Sequence, residues 1–199
     1  MTTALLLGLF GYLLGAIPTG LLVGKTVGVD PRLVGSGRVG ATNTYRALGL
    51  SASILVAALD SAKGGVVALL GLRLHLGALE LGAVVIATVL GQVYSVFLLA
   101  QGGRGVATTA GAAAVLWPAA LPIAALAGII AGRRSGIISV GSLFGALALP
   151  AAVGLVYRRW DALALAMLLA GLIFYSHRDN IRRLRDGTEA QVVGGRPSE

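Results

Sequence analysis

Apolar runs recur from one end of this 199-residue chain to the other, and they constrain its fold more than any other feature. The clear ones cover residues 4–23, 50–72, 76–100, 137–157 and 162–175. A helix needs about 20 such residues to cross the hydrocarbon layer of a bilayer. The chain is 56% hydrophobic and 12% charged, and the core of a soluble domain of this size does not grow fast enough to hide that much apolar surface. An all-α integral membrane protein is therefore expected, built as one membrane-embedded domain over 1–199 with a polar tail over 178–199. The first run follows Met1-Thr2-Thr3, which has no basic side chain. It is too long, and lacks the small-residue cleavage site, for a signal peptide, so it reads as a retained span.

The stretch 106–132 is ambiguous. It forms one tilted helix, or two short ones broken around Trp117-Pro118 and Pro122, because proline interrupts helical hydrogen bonding and biases the residue before it away from the helix. Charge decides between them. With two crossings there, Lys25, Arg32, Arg38, Arg46, Arg104, Arg133, Arg134 and the five C-terminal arginines share one side. That is twelve basic residues, against three (Arg73, Arg158, Arg159) on the other. With a single crossing the division is seven against eight, which carries no bias. The tendency of basic residues to stay cytoplasmic thus predicts seven transmembrane helices, N-terminus outside and C-terminus cytoplasmic. Trp117 and Trp160 would then sit at the outer interface. The net charge of +8 is accounted for by topology and lipid headgroups, with no call for nucleic acid.

Several chemistries are excluded or left without support. There is no cysteine, so thiol nucleophiles, disulfides and thiolate metal sites are out. His75 and His177 are too far apart in sequence to suggest a metal site, and no cofactor is expected. A GxSxG nucleophile elbow is also missing.

Polarity gathers in the segments on the expected cytoplasmic face. The first is GSGRVGATNTYR, residues 35–46. Glycines let the backbone turn sharply and present N–H groups to an anion. Ser36, Thr42 and Asn43 add neutral donors, and Arg38 and Arg46 add charge and a fork that fits phosphate oxygens. It is neither a Walker A loop nor a strand-borne GxGxxG, and a plain interhelical loop with topological arginines remains the alternative. The second, GGRGVATT at 102–109, leads a glycine-rich turn into the next apolar run, so that free N–H groups meet an anion at a helix start; a tight turn with one topological arginine is the alternative. The third, HRDNIRRLRDGTE at 177–189, places His177 at the membrane boundary, where it could move a proton near neutral pH. Asn180 shares its face if the last helix continues.

Ser139 and Ser142 open the sixth span, where serines usually bond their own backbone. Asp60 and Lys63 fall mid-span at i and i+3. Ionisable groups there are costly and normally pair inside the protein, so a buried structural pair is expected, with a direct site role second. Two cationic glycine-rich loops on one face of a small membrane protein suggest two phosphorylated ligands, hence phospholipid assembly by direct transfer.

The segments GSGRVGATNTYRALG, GGRGVAT and HRDNIRRLRDGTE, in this order and with Asp60-Ser-Ala-Lys63-Gly64 and Ser139-Val-Gly-Ser142 between them, resemble the signature segments of the bacterial acyl-phosphate:glycerol-3-phosphate acyltransferases, the PlsY family. The resemblance covers most of the chain. It implies seven transmembrane helices in the bacterial cytoplasmic membrane and an active site facing the cytoplasm. It also implies transfer of an acyl group from acyl phosphate to the 1-hydroxyl of sn-glycerol 3-phosphate, releasing lysophosphatidic acid and inorganic phosphate without acyl-CoA or metal. By position, it implies phosphate contacts for Ser36, Gly37, Thr42, Asn43 and Arg46. Arg104 would hold anionic substrate with the backbone of Gly102, Gly103 and Gly105 and with Thr108. Ser142 would bind substrate, and His177 and Asn180 would orient the glycerol hydroxyls. Glu189 would tie the tail to a basic residue. His177, Arg46 and Arg104 are the expected catalytic groups, with the base either His177 or a substrate phosphate. The expected partners are the two substrates and membrane lipid, acting on a monomer.

Three positions depart from the family pattern. Arg38 stands where asparagine is usual, Arg104 where lysine is usual, and Gln92 where a histidine is expected. Two other classes compete. A phosphate-ester transporter would show polar residues through several spans and broken helices at the midplane. An acyltransferase with a His-x4-Asp pair fails, because Arg182 is the residue five positions after His177.

Overall fold

A computed structural model describes residues 1–191; the last part of the expected tail, 192–199, including one of the five C-terminal arginines, lies outside the described residues. The described chain is helical and forms two compact units, Met1–Leu116 and a second that begins at Trp117.

In the first unit, the span expected over 4–23 lies within one apolar segment, Thr2–Thr26, that is broken into two helices, α1 (Thr2–Ala16) and α2 (Thr19–Thr26). Pro18 causes the break. It lacks an N–H and pushes Ile17 out of helical geometry, to φ −56°, ψ 120°. The short α3 (Ala41–Leu48) follows the first glycine-rich loop. Then α4 (Leu50–Arg73) and α5 (Ala78–Val93) cross the unit, and α6 (Val106–Leu116) closes it. The run expected to continue to residue 100 leaves the helix at Val93. It goes on as a 3₁₀ turn, Val96–Leu98, followed by Leu99 and Ala100 in left-handed geometry (φ 49° and 68°).

The helices of this unit meet backbone to backbone. A Cβ on Gly15 would overlap the Thr88 carbonyl and one on Gly91 the Tyr12 carbonyl, which draws α1 and α5 together. In the same way Gly64 meets the Thr108 carbonyl and Gly111 the Ser61 carbonyl, which joins α4 to α6. Close approach through small residues is how helices associate in lipid, where apolar burial offers no gradient between tail and side chain.

The second unit holds α7 (Leu121–Ser135), α8 (Ile138–Tyr157), α9 (Trp160–Ser176) and α10 (Arg178–Arg185). The ambiguous stretch 106–132 is thus two helices, α6 and α7. Residues 117–120 form the turn between them, where Trp117 O accepts from the N–H groups of Ala120 (3.0 Å) and Leu121 (3.1 Å). Glycines again make the seam: a Cβ on Gly128 of α7 would lie 2.8 Å from the Gly141 carbonyl of α8. Trp160 is exposed, whereas Trp117 is buried.

Among the described residues, four segments are long and apolar enough to cross a membrane: Thr2–Thr26, Leu50–Arg73, Ala78–Leu98 and Ile138–Tyr157. Helices α9 and α10 add a fifth only when the pair, bent by 59°, is counted as one segment. That bend corrects the picture of a last helix continuing straight through His177. The large apolar side chains exposed on these segments are mostly leucines, isoleucines and valines, with Phe10, Phe97, Phe144 and Met167 among them, the composition a bilayer solvates.

Candidate active site

The first glycine-rich loop is shaped by one side chain. Asn43, buried in the first turn of α3, donates from Nδ2 to the carbonyls of Pro31 (2.6 Å) and Arg38 (2.8 Å). Its Oδ1 accepts from the Ser36 N–H at 3.0 Å. Both amide hydrogens and the carbonyl are therefore engaged with the loop itself. Gly35 and Gly37 turn the chain in left-handed geometry, φ 58° and 68°. At Gly35 a Cβ would also sit 2.7 Å from Asn43 Oδ1 and 3.1 Å from Arg46 Cδ, so Arg46 lies along this turn. Ser36, Gly37, Arg38, Thr42 and Arg46 stay part-exposed around it.

The second loop rests on the end of α5. Gly103 N donates to Gln92 O at 2.7 Å and Gly102 N to Val93 O at 3.2 Å. Gly105, at φ 78°, then turns the chain into α6. Arg104 keeps part of its surface accessible, while Gly102, Gly103, Gly105 and Thr108 are buried. The hydroxyls of Thr108 and Thr109 have no hydrogen-bond partner among the described residues.

The structure brings these two loops together. A Cβ on Gly40 would fall 3.7 Å from Gly103 Cα, so the two backbones lie within about one methyl group of each other.

Beneath the second loop lies the pair Asp60 and Lys63, both buried. Lys63 Nζ donates to Asp60 Oδ1 (2.7 Å), to Gln92 Oε1 (2.9 Å) and to Ile17 O (2.6 Å). Asp60 also accepts from Thr19 Oγ1 (2.5 Å) and Gln92 Nε2 (3.0 Å). All three ammonium hydrogens and both carboxylate oxygens are satisfied, the condition under which a buried ion pair is tolerated. Thr19 and Gln92 were not singled out as partners from sequence. The available signals were a polar amide within an apolar run and a threonine after the proline that breaks α1 from α2.

In the second unit, Glu189 is a hub. Its Oε1 accepts from Ser139 Oγ (2.8 Å) and Asn180 Nδ2 (2.5 Å), and its Oε2 accepts from Arg183 Nε (2.6 Å). Burial alone would raise the Glu189 carboxyl's pKa, but hydrogen bonds from Asn180, Arg183 and Ser139 outweigh it and hold the carboxyl below its ordinary value. Ser139 thus reaches across the unit, against the expectation that it bonds its own helix. Ser142 does bond its own helix, donating to Ile138 O at 3.1 Å.

Asn180 Oδ1 is buried and has no partner among the described residues. His177 is buried at the bend between α9 and α10. Its Nδ1 lies 2.8 Å from Ile173 O, and a carbonyl only accepts. The hydrogen therefore sits on Nδ1, and in the neutral ring the lone pair is on Nε2. No cluster of potential metal ligands occurs among the described residues.

A helical membrane protein whose first unit carries two neighbouring glycine-rich cationic loops, and whose second unit buries His177 and Asn180, is the class that the fold defines. Residues 5–187 match the family model described as glycerol-3-phosphate acyltransferase. The glycerol-3-phosphate acyltransferase of Geotalea daltonii is 40% identical over 189 residues, covering 95% of this chain and 97% of that protein. Crystal structures of PlsY (YgiH), an integral membrane glycerol 3-phosphate acyltransferase, superpose closely. The glycerol 3-phosphate form does so at TM-score 0.90 and 36% identity, covering 95% of each chain. The lysophosphatidic acid form does so at TM-score 0.88 and 35% identity, with the same coverage. The chain belongs to the glycerol-3-phosphate acyltransferase family and is a membrane acyltransferase.

Proposed function

We propose that this chain transfers a fatty acyl group from acyl phosphate to the 1-hydroxyl of sn-glycerol 3-phosphate, releasing lysophosphatidic acid and inorganic phosphate. The observation that carries this reading is the close approach of the two glycine-rich loops at Gly40 and Gly103. Two glycine-rich cationic loops side by side suit a reaction in which both substrates bring a phosphate. The solved relatives bind glycerol 3-phosphate and lysophosphatidic acid, the acceptor and the product of this scheme.

An acyl phosphate is a mixed anhydride with a good leaving group, so the protein mainly positions two anions and neutralises them. The acceptor hydroxyl attacks the acyl carbonyl carbon and a C–O ester bond forms. The acyl C–O bond of the anhydride then breaks, and phosphate leaves with the electron pair. The hydroxyl proton goes to His177 Nε2 or to a phosphate oxygen of a substrate. Arg46 and Arg104, with the N–H group of Gly105, stabilise the oxyanion and the departing phosphate, while the N–H groups of Gly102 and Gly103, taken by Val93 O and Gln92 O, hold the loop in place. Ser36, Gly37 and Thr42 bind phosphate, and Thr108 and Ser142 take further substrate contacts. Asn43 acts by holding the first loop in shape. Asn180 Oδ1 accepts a glycerol hydroxyl, and Glu189 fixes the Asn180 side chain. Asp60 and Lys63 are structural. Neither acyl-CoA, metal nor a covalent acyl-enzyme takes part.

Both units work as one membrane-embedded domain over 1–199, as a monomer in the bacterial cytoplasmic membrane. The topology is seven spans, N-terminus outside, with loops and tail facing the cytoplasm, supported by the twelve-to-three division of basic residues. The test is a donor swap on purified protein. With sn-glycerol 3-phosphate present, palmitoyl phosphate should support turnover and palmitoyl-CoA should not, and Arg46→Ala should abolish the rate. Turnover with palmitoyl-CoA, or with neither donor, overturns the proposal.

A further inference from the structure

The buried pair is linked to the second loop through one side chain, Gln92. Its amide bridges the pair, accepting from Lys63 Nζ (2.9 Å) and donating to Asp60 Oδ2 (3.0 Å). The same amide abuts the loop: a Cβ on Gly103 would lie 2.7 Å from Gln92 Nε2. Gln92 also receives the Gly103 N–H on its own carbonyl. Gly103 is thus held on one side by the Gln92 backbone and on the other by an amide whose orientation Asp60 and Lys63 fix.

The far end of the network is equally tied to the fold. Pro18 breaks the helix, and the break leaves Ile17 O and Thr19 Oγ1 to meet Lys63 and Asp60. The next residue, Gly20, packs against the Val39 carbonyl and Thr44 Oγ1, at the start of the first loop's helix. One buried network therefore reaches the backbone of both cradles.

We infer that Gln92 is a positioning residue for the acyl transfer: with Thr19, Asp60 and Lys63 it forms a rigid floor that fixes the second cradle, at Gly102 and Gly103, beside the first. The inference rests on the proposed reading of these loops as phosphate cradles. It gives a physical sense to the glutamine standing where the family pattern has histidine. A neutral imidazole also carries one donor and one acceptor, so either side chain can close the Asp60–Lys63 pair.

The test uses the full-length protein in lipid nanodiscs, with Gln92→Leu, Gln92→His and the shorter Gln92→Asn. Each is assayed for KM of both substrates, for kcat and for amide exchange of the peptide spanning 100–105. Gln92→Leu should raise the KM of one substrate about tenfold, the scale of a displaced anchor. The other KM should stay within about twofold, and exchange at Gly103 should speed up. Gln92→His should restore both readouts. Should Gln92→Leu fail to fold, Gln92→Asn decides, since its amide cannot span the pair and still reach Gly103, and the same selective KM rise is expected. Unchanged exchange in a folded variant overturns the inference. So does a fall in kcat with both KM values unmoved, or no rescue by histidine. The exchange measurement is independent of turnover, so it stands even if the wild-type protein proves inactive with acyl phosphate.

Discussion

Gly40 and Gly103 belong to different loops yet lie so close that a Cβ on Gly40 would reach 3.7 Å from Gly103 Cα. The approach is asymmetric. At Gly40 an added methyl meets only ordinary van der Waals distance, while at Gly103 it meets Gln92 Nε2 at 2.7 Å, inside the contact limit of a buried, hydrogen-bonded amide. Gly40→Ala should keep kcat/KM within about threefold, whereas Gly103→Ala should lose about a hundredfold, the effect of misplacing a site by an ångström. Steady-state kinetics on the two variants check this.

Asn43 contributes three hydrogen bonds, all to the loop's own backbone. Asn43→Ala should therefore loosen residues 31–40 as a whole, seen as faster amide exchange there. Ser36→Ala removes only a part-exposed hydroxyl and should leave exchange unchanged while raising a substrate KM. The stability loss in Asn43→Ala should be about 1–3 kcal/mol, that of leaving buried backbone carbonyls unpaired.

The Glu189 carboxyl is held below its ordinary value of 4.5. A carboxyl whose folded-state pKa is depressed adds stability that is complete above the unfolded value and is lost as pH falls through the folded one. Thermal unfolding in detergent should thus show a Glu189-dependent plateau above pH 4.5 and a decline below it. Glu189→Gln should flatten that decline and lower the plateau by about 1.5–3 kcal/mol, the worth of a hydrogen bond to a charged group. An unaltered acid limb in Glu189→Gln would show that another group governs it.

Helix α6 is joined to α4 where Gly111 faces the Ser61 carbonyl and Gly64 faces that of Thr108. Gly111→Val should prevent this seam from closing, with a cost above the usual 1–3 kcal/mol of about one overpacked side chain, because backbone rather than a movable side chain is in the way. Leu69→Ala, on an outward-facing position of α4, should leave unfolding within about 0.5 kcal/mol. Unfolding temperatures of both variants in the same detergent make the comparison.

The apolar helices and their loops were legible because each depends on local features. Length and hydropathy mark the helices, and the charge flanking 106–132 marks the break that Trp117-Pro118 makes. What was not legible depends on partners far along the chain. Ser139 and Ser142 have near-identical sequence surroundings, yet one reaches Glu189 and the other Ile138 O. The pairing of Asp60 with Lys63 follows from i, i+3 spacing, but the closure by Thr19 and Gln92 needs three helices in place. Asn43 looked like a ligand donor among other polar residues, and only the folded loop shows its amide turned inward. The bend after Ser176 has no proline or glycine to announce it.

The glycine seams also divide the chain into two kinds of position for evolution. At Gly15, Gly64, Gly91 and Gly111 the neighbour is a carbonyl, which no compensating change nearby can make smaller, so drift there is closed. The outward leucines, isoleucines and valines of the same helices are exposed, meet no such backbone obstacle and can be exchanged among themselves. A lineage moving to a colder or hotter membrane can therefore re-tailor its outer coat residue by residue, while the frame that carries the chemistry is inherited unchanged.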